Sequence, residues 1–209
     1  MAKAAVEPRK RPVQDRSRQT VDRILAEAAR IFDEDGYRRT TTNRVAEAAG
    51  VSVGSLYQYF PNKDALLVAL AERHVEEITA AFSLRVAELD RERPALPAVL
   101  RSLLELTASV NDTSRLHAIL FTNCPRTPAL EERLHRFTEV VVDCVARHLR
   151  RTGAGGPDPR RRAELLVAAC DAAVHTVVLA RRPGRSRAAA VDDLVAALTH
   201  GLGGDGRPS

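Results

Sequence analysis

The chain has 209 residues, 44% of them hydrophobic and 28% charged, which excludes a wholly disordered protein and gives enough length to bury a core. A formal net charge of +5 and a pI of about 9.5 hint at a polyanionic partner. Three cysteines, Cys124, Cys144 and Cys170, are odd in number and lack metal-ligand spacing among themselves. They are expected to be small buried apolar groups, with no disulfide framework, metal centre or cofactor. The basic N-terminus has no apolar h-region, and the longest apolar run, residues 165–180, holds Asp171, His175 and Thr176. That run is too short to span a bilayer, so a cytoplasmic protein with no membrane partner is expected.

Residues 1–19 carry Lys3, Arg9, Lys10, Arg11, Arg16 and Arg18 against Glu7 and Asp15, six minus two or +4. With Pro8 and Pro12 and no apolar period, they read as a flexible basic arm. From Thr20 the pattern turns helical: Val21, Ile24, Leu25, Ala28, Ile31 and Phe32 share one face, and Gly36 is placed to end the helix. A short helix is predicted from Thr42 to Ala49, then a turn at Gly50. A third helix, capped by Ser52, ends near Phe60 before Pro61. Asn62 caps a long fourth helix whose stripe is Leu66, Leu67, Leu70, His74, Ile78, Ala81 and Phe82. Beyond Pro94 and Pro97, helices are predicted at about 97–110, 114–123, 127–151, 158–181 and 187–201. The expectation is an all-α chain of about nine helices. Its parts are an arm (1–19), a three-helix domain (20–66), a larger helical domain (67–203) and a tail (204–209).

Two short helices joined by a glycine turn make a helix-turn-helix, whose second helix can enter the DNA major groove. On a wheel of about 100° per residue with Leu56 at zero, Phe60 falls near 40° and Val53 near 60°. These three are expected to anchor the helix. Gly54, Ser55 and Gln58 fall at roughly 160–260° and point away, with Tyr57 and Tyr59 flanking that outer face. Gly54 would let backbone approach backbone, or else pack closely on the second helix, at about 1 kcal/mol of lost helix propensity. The tyrosine hydroxyls can reach phosphates, and Gln58 can bond adenine through N6 and N7. Lys63, one of three lysines, opposes the dipole at the start of the fourth helix. Structure alone gives it no reason there, whereas a bound phosphate would. Thr42 is placed either to cap the second helix or to hold another phosphate.

The run Thr41-Thr-Asn-Arg-Val-Ala-Glu-Ala-Ala-Gly-Val-Ser-Val-Gly-Ser-Leu-Tyr-Gln-Tyr-Phe-Pro-Asn-Lys63 resembles the DNA-binding domain of TetR-family transcriptional regulators, as do Ile24, Leu25, Ala28, Phe32 and Gly36 before it. The resemblance implies a ligand-responsive dimeric regulator, most simply a repressor, that binds a palindromic double-stranded DNA operator and is released by a small apolar effector. It places DNA contacts on Thr42, Ser52, Val53, Gly54, Ser55, Tyr57, Gln58, Tyr59 and Lys63. It also implies a homodimer through the last two helices. The eighth helix is apolar nearly all round and needs cover on both sides, and Leu166, Ala173 and Val177, with Leu194 and Leu198 of the ninth, are the expected interface. His117, Phe121 and Cys144 either line a ligand pocket or pack the core. Asp171 and His175, four apart, either bond each other or hold a ligand. An architectural DNA-binding protein of the same fold is the alternative. No nucleophile–base set or phosphate loop marks an enzyme.

Overall fold

The first helix, α1 (Asp15–Asp35), begins five residues before the expected start at Thr20. The computed structural model describes residues 15–111, 115–174 and 186–200. The polar stretch ahead of Val21 carries no apolar period, yet the helix propagates through it. Ile24, Ala28, Ile31 and Phe32 are wholly buried along one stripe.

Next come α2 (Thr42–Ala48), α3 (Val53–Tyr59) and the long α4 (Lys63–Glu92). These are followed by α5 (Leu96–Asn111), α6 (Arg115–Asn123), α7 (Pro128–Thr152), α8 (Pro159–Ala173) and α9 (Arg187–Thr199). Among the described residues there are thus nine helices and no strand, the all-α architecture expected. The terminators read in the sequence act as such: Gly36 and Gly50 adopt positive φ of 79° and 63°. The Asn62 side chain accepts from the Ala65 N–H at 2.9 Å. No described helix is long and apolar enough to cross a membrane.

Contacts divide the chain into two units. The first comprises Met1–Glu77 and Thr113–Leu134. Within it α1 packs on α2 and α6, and α2 on α3, around Phe32, Val45, Leu56, Phe60, Leu66 and Leu67. The second comprises Ile78–Asp112 and His135–Ser209, where α9 packs on α5 and α8. Its core joins Phe82, Leu89, Leu100, Val145, Leu149, Ala163, Leu166 and Val191. Helix α4 contributes Lys63–Glu77 to the first unit and its remainder to the second. It ends where Arg93 takes φ of 51°, its N–H closing on the Leu89 carbonyl at 2.9 Å.

Candidate nucleic-acid interface and unit-two cavity

The α2–α3 turn is fixed by its own backbone. The Val51 N–H reaches the Ala46 carbonyl at 3.0 Å and the Gly50 N–H reaches Glu47 at 3.1 Å, a paired C-terminal closure that requires positive φ at Gly50. Ser52 then caps α3, accepting from the Ser55 N–H at 3.0 Å, with the two hydroxyls 2.7 Å apart. Leu56 and Phe60 are buried and hold α3 to the first unit.

Val53 departs from the expectation of an anchor. It is 39% exposed, as is Tyr57. Val53 is the first residue of α3, where the chain is still entering the helix, so an ideal wheel misplaces it. Gly54 and Gln58 are exposed as expected, while Ser55 and Tyr59 are half-buried. A Cβ built on Gly54 would meet only Ser52 Oγ, at 3.9 Å, so close packing on α2 does not account for the glycine.

Thr42 is not the cap of α2. That role belongs to Thr41, whose Oγ1 accepts from the Arg44 N–H at 3.3 Å. The Thr42 hydroxyl instead lies 3.0 Å from the Tyr57 hydroxyl, which ties the start of α2 to the middle of α3.

Lys63 has a structural reason after all. Its Nζ donates to the Tyr37 carbonyl at 2.9 Å and lies 3.5 Å from those of Arg38 and Thr40. It also sits 4.2 Å from the centroid of the Tyr37 ring, a cation–π arrangement. The Tyr37 hydroxyl donates to Asp64. Burial first, then this acceptor, pushes its pKa up to about 12, so it stays a donor through the physiological range. Together these contacts bolt the start of α4 to the segment after α1. Lys63→Ala should therefore cost about 1–2 kcal/mol of stability, read as a lower denaturation midpoint at unchanged slope. Unchanged stability with a DNA-binding salt slope reduced by about one would instead restore the phosphate role.

Three further cations escaped the sequence reading. Arg38, Arg39 and Arg44 are exposed around the start of α2. Arg39 Nε donates to the Asp35 carbonyl at 3.0 Å, and Arg44 pairs with Asp35. From Gly36 to Lys63 the count is four cations against Glu47 alone, or +3. That local charge was the available signal.

The second unit holds a cavity of about 500 Å³. Phe82 of α4, Leu100, Leu103 and Leu104 of α5, Phe137 and Val142 of α7, and Val167 and Cys170 of α8 line it. Its charged lining is Glu139, Glu164 and Asp171. Arg160 pairs with Glu139 and Glu164. Asp171 is on the wall. Cys144 is wholly buried in the unit's core and not on that wall. His117 belongs to the first unit, its ring 5.5 Å from that of His74. His117 and Cys144 thus belong to different units. His175 and the Phe121 side chain lie outside the described residues. All three thiols are held up at about 11 chiefly by burial, so they are poor nucleophiles.

Beyond its charged first turns α8 is apolar on two sides, with Asp171 the exception, and three of the expected interface residues pack within their own unit. Leu166 is buried in its own unit's core, and Leu194 and Leu198 pack against it. Ala173 is half-buried, and Val177 lies outside the described residues. The exposed stripe is Leu165, 58% exposed, with Ala168, Ala169 and Ala172. Apolar residues on both sides of positions 165–173 give the wheel little sign of which stripe faces home.

Relatives agree with this geometry. The chain is 28% identical over 178 residues to the nucleoid occlusion factor SlmA of Haemophilus ducreyi, covering 82% of this chain and 85% of that one. A protein of unknown function from Rhodococcus sp. RHA1 superposes with a TM-score of 0.69 at 24% identity, covering 88% and 95% of the two chains. FadR of Thermus thermophilus, a TetR-family transcriptional repressor in complex with lauroyl-CoA, superposes with a TM-score of 0.55 at 22% identity over 90% and 98%. The family of bacterial regulatory proteins named for TetR matches residues 24–70, and the tetracyclin repressor-like C-terminal domain matches residues 90–201. The helix-turn-helix built on α2 and α3 is thus joined to the C-terminal domain of the same family, and the chain belongs to the TetR family of bacterial transcriptional regulators.

Proposed function

We propose that the protein is a homodimeric, effector-responsive repressor that binds an inverted-repeat operator in the bacterial cytoplasm. The observation that carries the reading is the outer face of α3. Gly54, Tyr57 and Gln58 are exposed, and no internal packing claims the missing Cβ of Gly54. A groove-entering helix needs that combination: a low backbone profile, a base-reading amide and hydroxyls at the edges for phosphates. A second copy of the chain is the proposed cover for Leu165, Ala168, Ala169 and Ala172. The two-fold that results would set two copies of α3 on half-sites about one helical turn or somewhat more apart.

The effector reading rests on the cavity of the second unit. Its walls are largely apolar, and its described lining holds three carboxylates and no Lys or Arg. A neutral or cationic apolar molecule suits such walls better than a polyanion such as the lauroyl-CoA bound by the Thermus protein. Phe82 is on the wall and belongs to the same helix that begins at Lys63. An occupant that shifts α4 would be felt at its first turn, beside α3. The usual allosteric coupling of about 1–3 kcal/mol would lower operator affinity roughly 5–150-fold, and operator would weaken the effector equally.

Selection of bound sequences from random DNA tests the first half of the reading. An inverted repeat is expected, and Gln58→Ala should relax preference at one position by about 1–3 kcal/mol. Affinity independent of sequence would sink the reading. The second half is tested by titrating a thermal-shift hit with and without operator. Equal affinities across many hits would favour a second reading, an architectural DNA-binding protein without an inducer. That reading is favoured by one observation, the similarity to a nucleoid occlusion factor over most of both chains.

A further inference from the structure

The second unit has a further cleft, of about 460 Å³, where the end of α4 meets the last turns of α7. It shares no described lining residue with the acidic effector cavity. Asp90 and Arg93 line it from one side, and Arg147, His148 and Arg151 of α7 from the other. Three guanidiniums against one carboxylate give three minus one, or +2.

Exposed arginines are commonly no more than solvated, but these are held in place. Arg147 donates from Nη2 and Nε to Asp90 at 2.7 and 3.2 Å, and Arg151 donates from Nη2 to the Pro94 carbonyl. A guanidinium has five N–H donors, so each keeps several in a fixed orientation, which lowers the cost of ordering on binding. Arg93 closes α4 at φ 51°, a position where glycine is usual and an arginine backbone is disfavoured. Its side chain has no hydrogen-bond or ion-pair partner among the described residues. An arginine kept there against its backbone preference points to a task for the side chain.

We infer that this cleft binds a phosphate group, with Arg93, Arg147 and Arg151 as its donors. A phosphate monoester carries close to two negative charges at neutral pH and three terminal oxygens, which match the net charge and the three guanidiniums. Arginine forks suit such oxygens in pairs. A carboxylate, with one charge and two oxygens, would leave a guanidinium unused. The cleft has room beyond the phosphate for a group that carries it. The site does not rest on the effector reading, since the carboxylates of that cavity would repel the same ligand. Arg147 and Arg151 stand one turn apart in the sequence, but only the fold brings Arg93 to them.

The test is a calorimetric titration of the full-length chain with inorganic phosphate and with phenyl phosphate, at neutral pH and constant ionic strength. One saturable site per chain that depends on Arg93 is expected. Tighter phenyl phosphate would assign the site to a phosphate ester, and tighter inorganic phosphate to the free ion. Arg93→Gly should weaken the tighter probe at least about tenfold. The same variant should melt at an unchanged or higher temperature, because glycine relieves the positive φ. Arg150→Gln removes the same charge from the neighbouring residue of α7, outside the lining, and should leave the affinity within about twofold. Equal losses in the two variants would reduce the effect to net charge and overturn the site. So would the absence of saturable binding, or benzoate binding as tightly as phenyl phosphate.

Discussion

Leu165→Glu is expected to turn the protein into folded monomers. In one chain Leu165 is 58% exposed, so a carboxylate there meets water and costs the isolated fold little. In the proposed dimer the same position is covered by an apolar stripe, and an uncompensated charge buried in such a place costs about 3–5 kcal/mol. That corresponds to a dimer dissociation constant raised roughly 10²- to 10³-fold or more. Sedimentation should show the monomer at concentrations where the unaltered chain is dimeric, with unchanged helical circular dichroism. Operator affinity should fall with it, since each monomer grips only one half-site. Leu165 suits this test better than Val177, whose burial is not described. A folded Leu165→Glu chain that remains dimeric would move the interface off α8.

The second large effect is expected at Gly54. An alanine there should raise the helix propensity of α3 by about 1 kcal/mol. Its Cβ would meet nothing nearer than Ser52 Oγ at 3.9 Å. The variant should thus melt at the same temperature or higher. Operator binding should nevertheless weaken at least about tenfold, or about 1.4 kcal/mol, because the added methyl stands where the groove wall would come. Opposite signs for stability and binding are what separate this account from a packing one. Unchanged affinity in the stabilised variant would show that α3 approaches DNA by another edge.

Helix limits were legible because their signals are local. Gly36, Gly50, Ser52 and Asn62 each act within three or four residues of themselves, so a single sequence contains both partners. The start of α1 was not legible, since propagation through residues 15–19 needs no apolar period to mark it. The internal contacts of Lys63 were not legible for the opposite reason. Its carbonyl partners, Tyr37, Arg38 and Thr40, lie more than twenty positions earlier, and only tertiary structure brings them under the ammonium. On α8 the sequence said correctly that two sides are apolar. It could not say that Leu166 faces home and Leu165 away, because both stripes are apolar although they lie about 100° apart on the wheel. Gln58 and Gly54, on a short amphipathic helix with two clear anchors, were placed correctly by that same wheel.

The way α3 is held has a bearing on descent. Leu56 and Phe60 fasten it to the core, while Val53 and Gln58 are exposed and contribute little to stability, and Gly54 can be replaced without loss of packing. Substitutions at these outer positions therefore meet weak selection from folding, whatever they do to the choice of DNA. A gene duplicated in a lineage can drift there and acquire a new genomic address in a few steps, without first needing a compensating change in the interior.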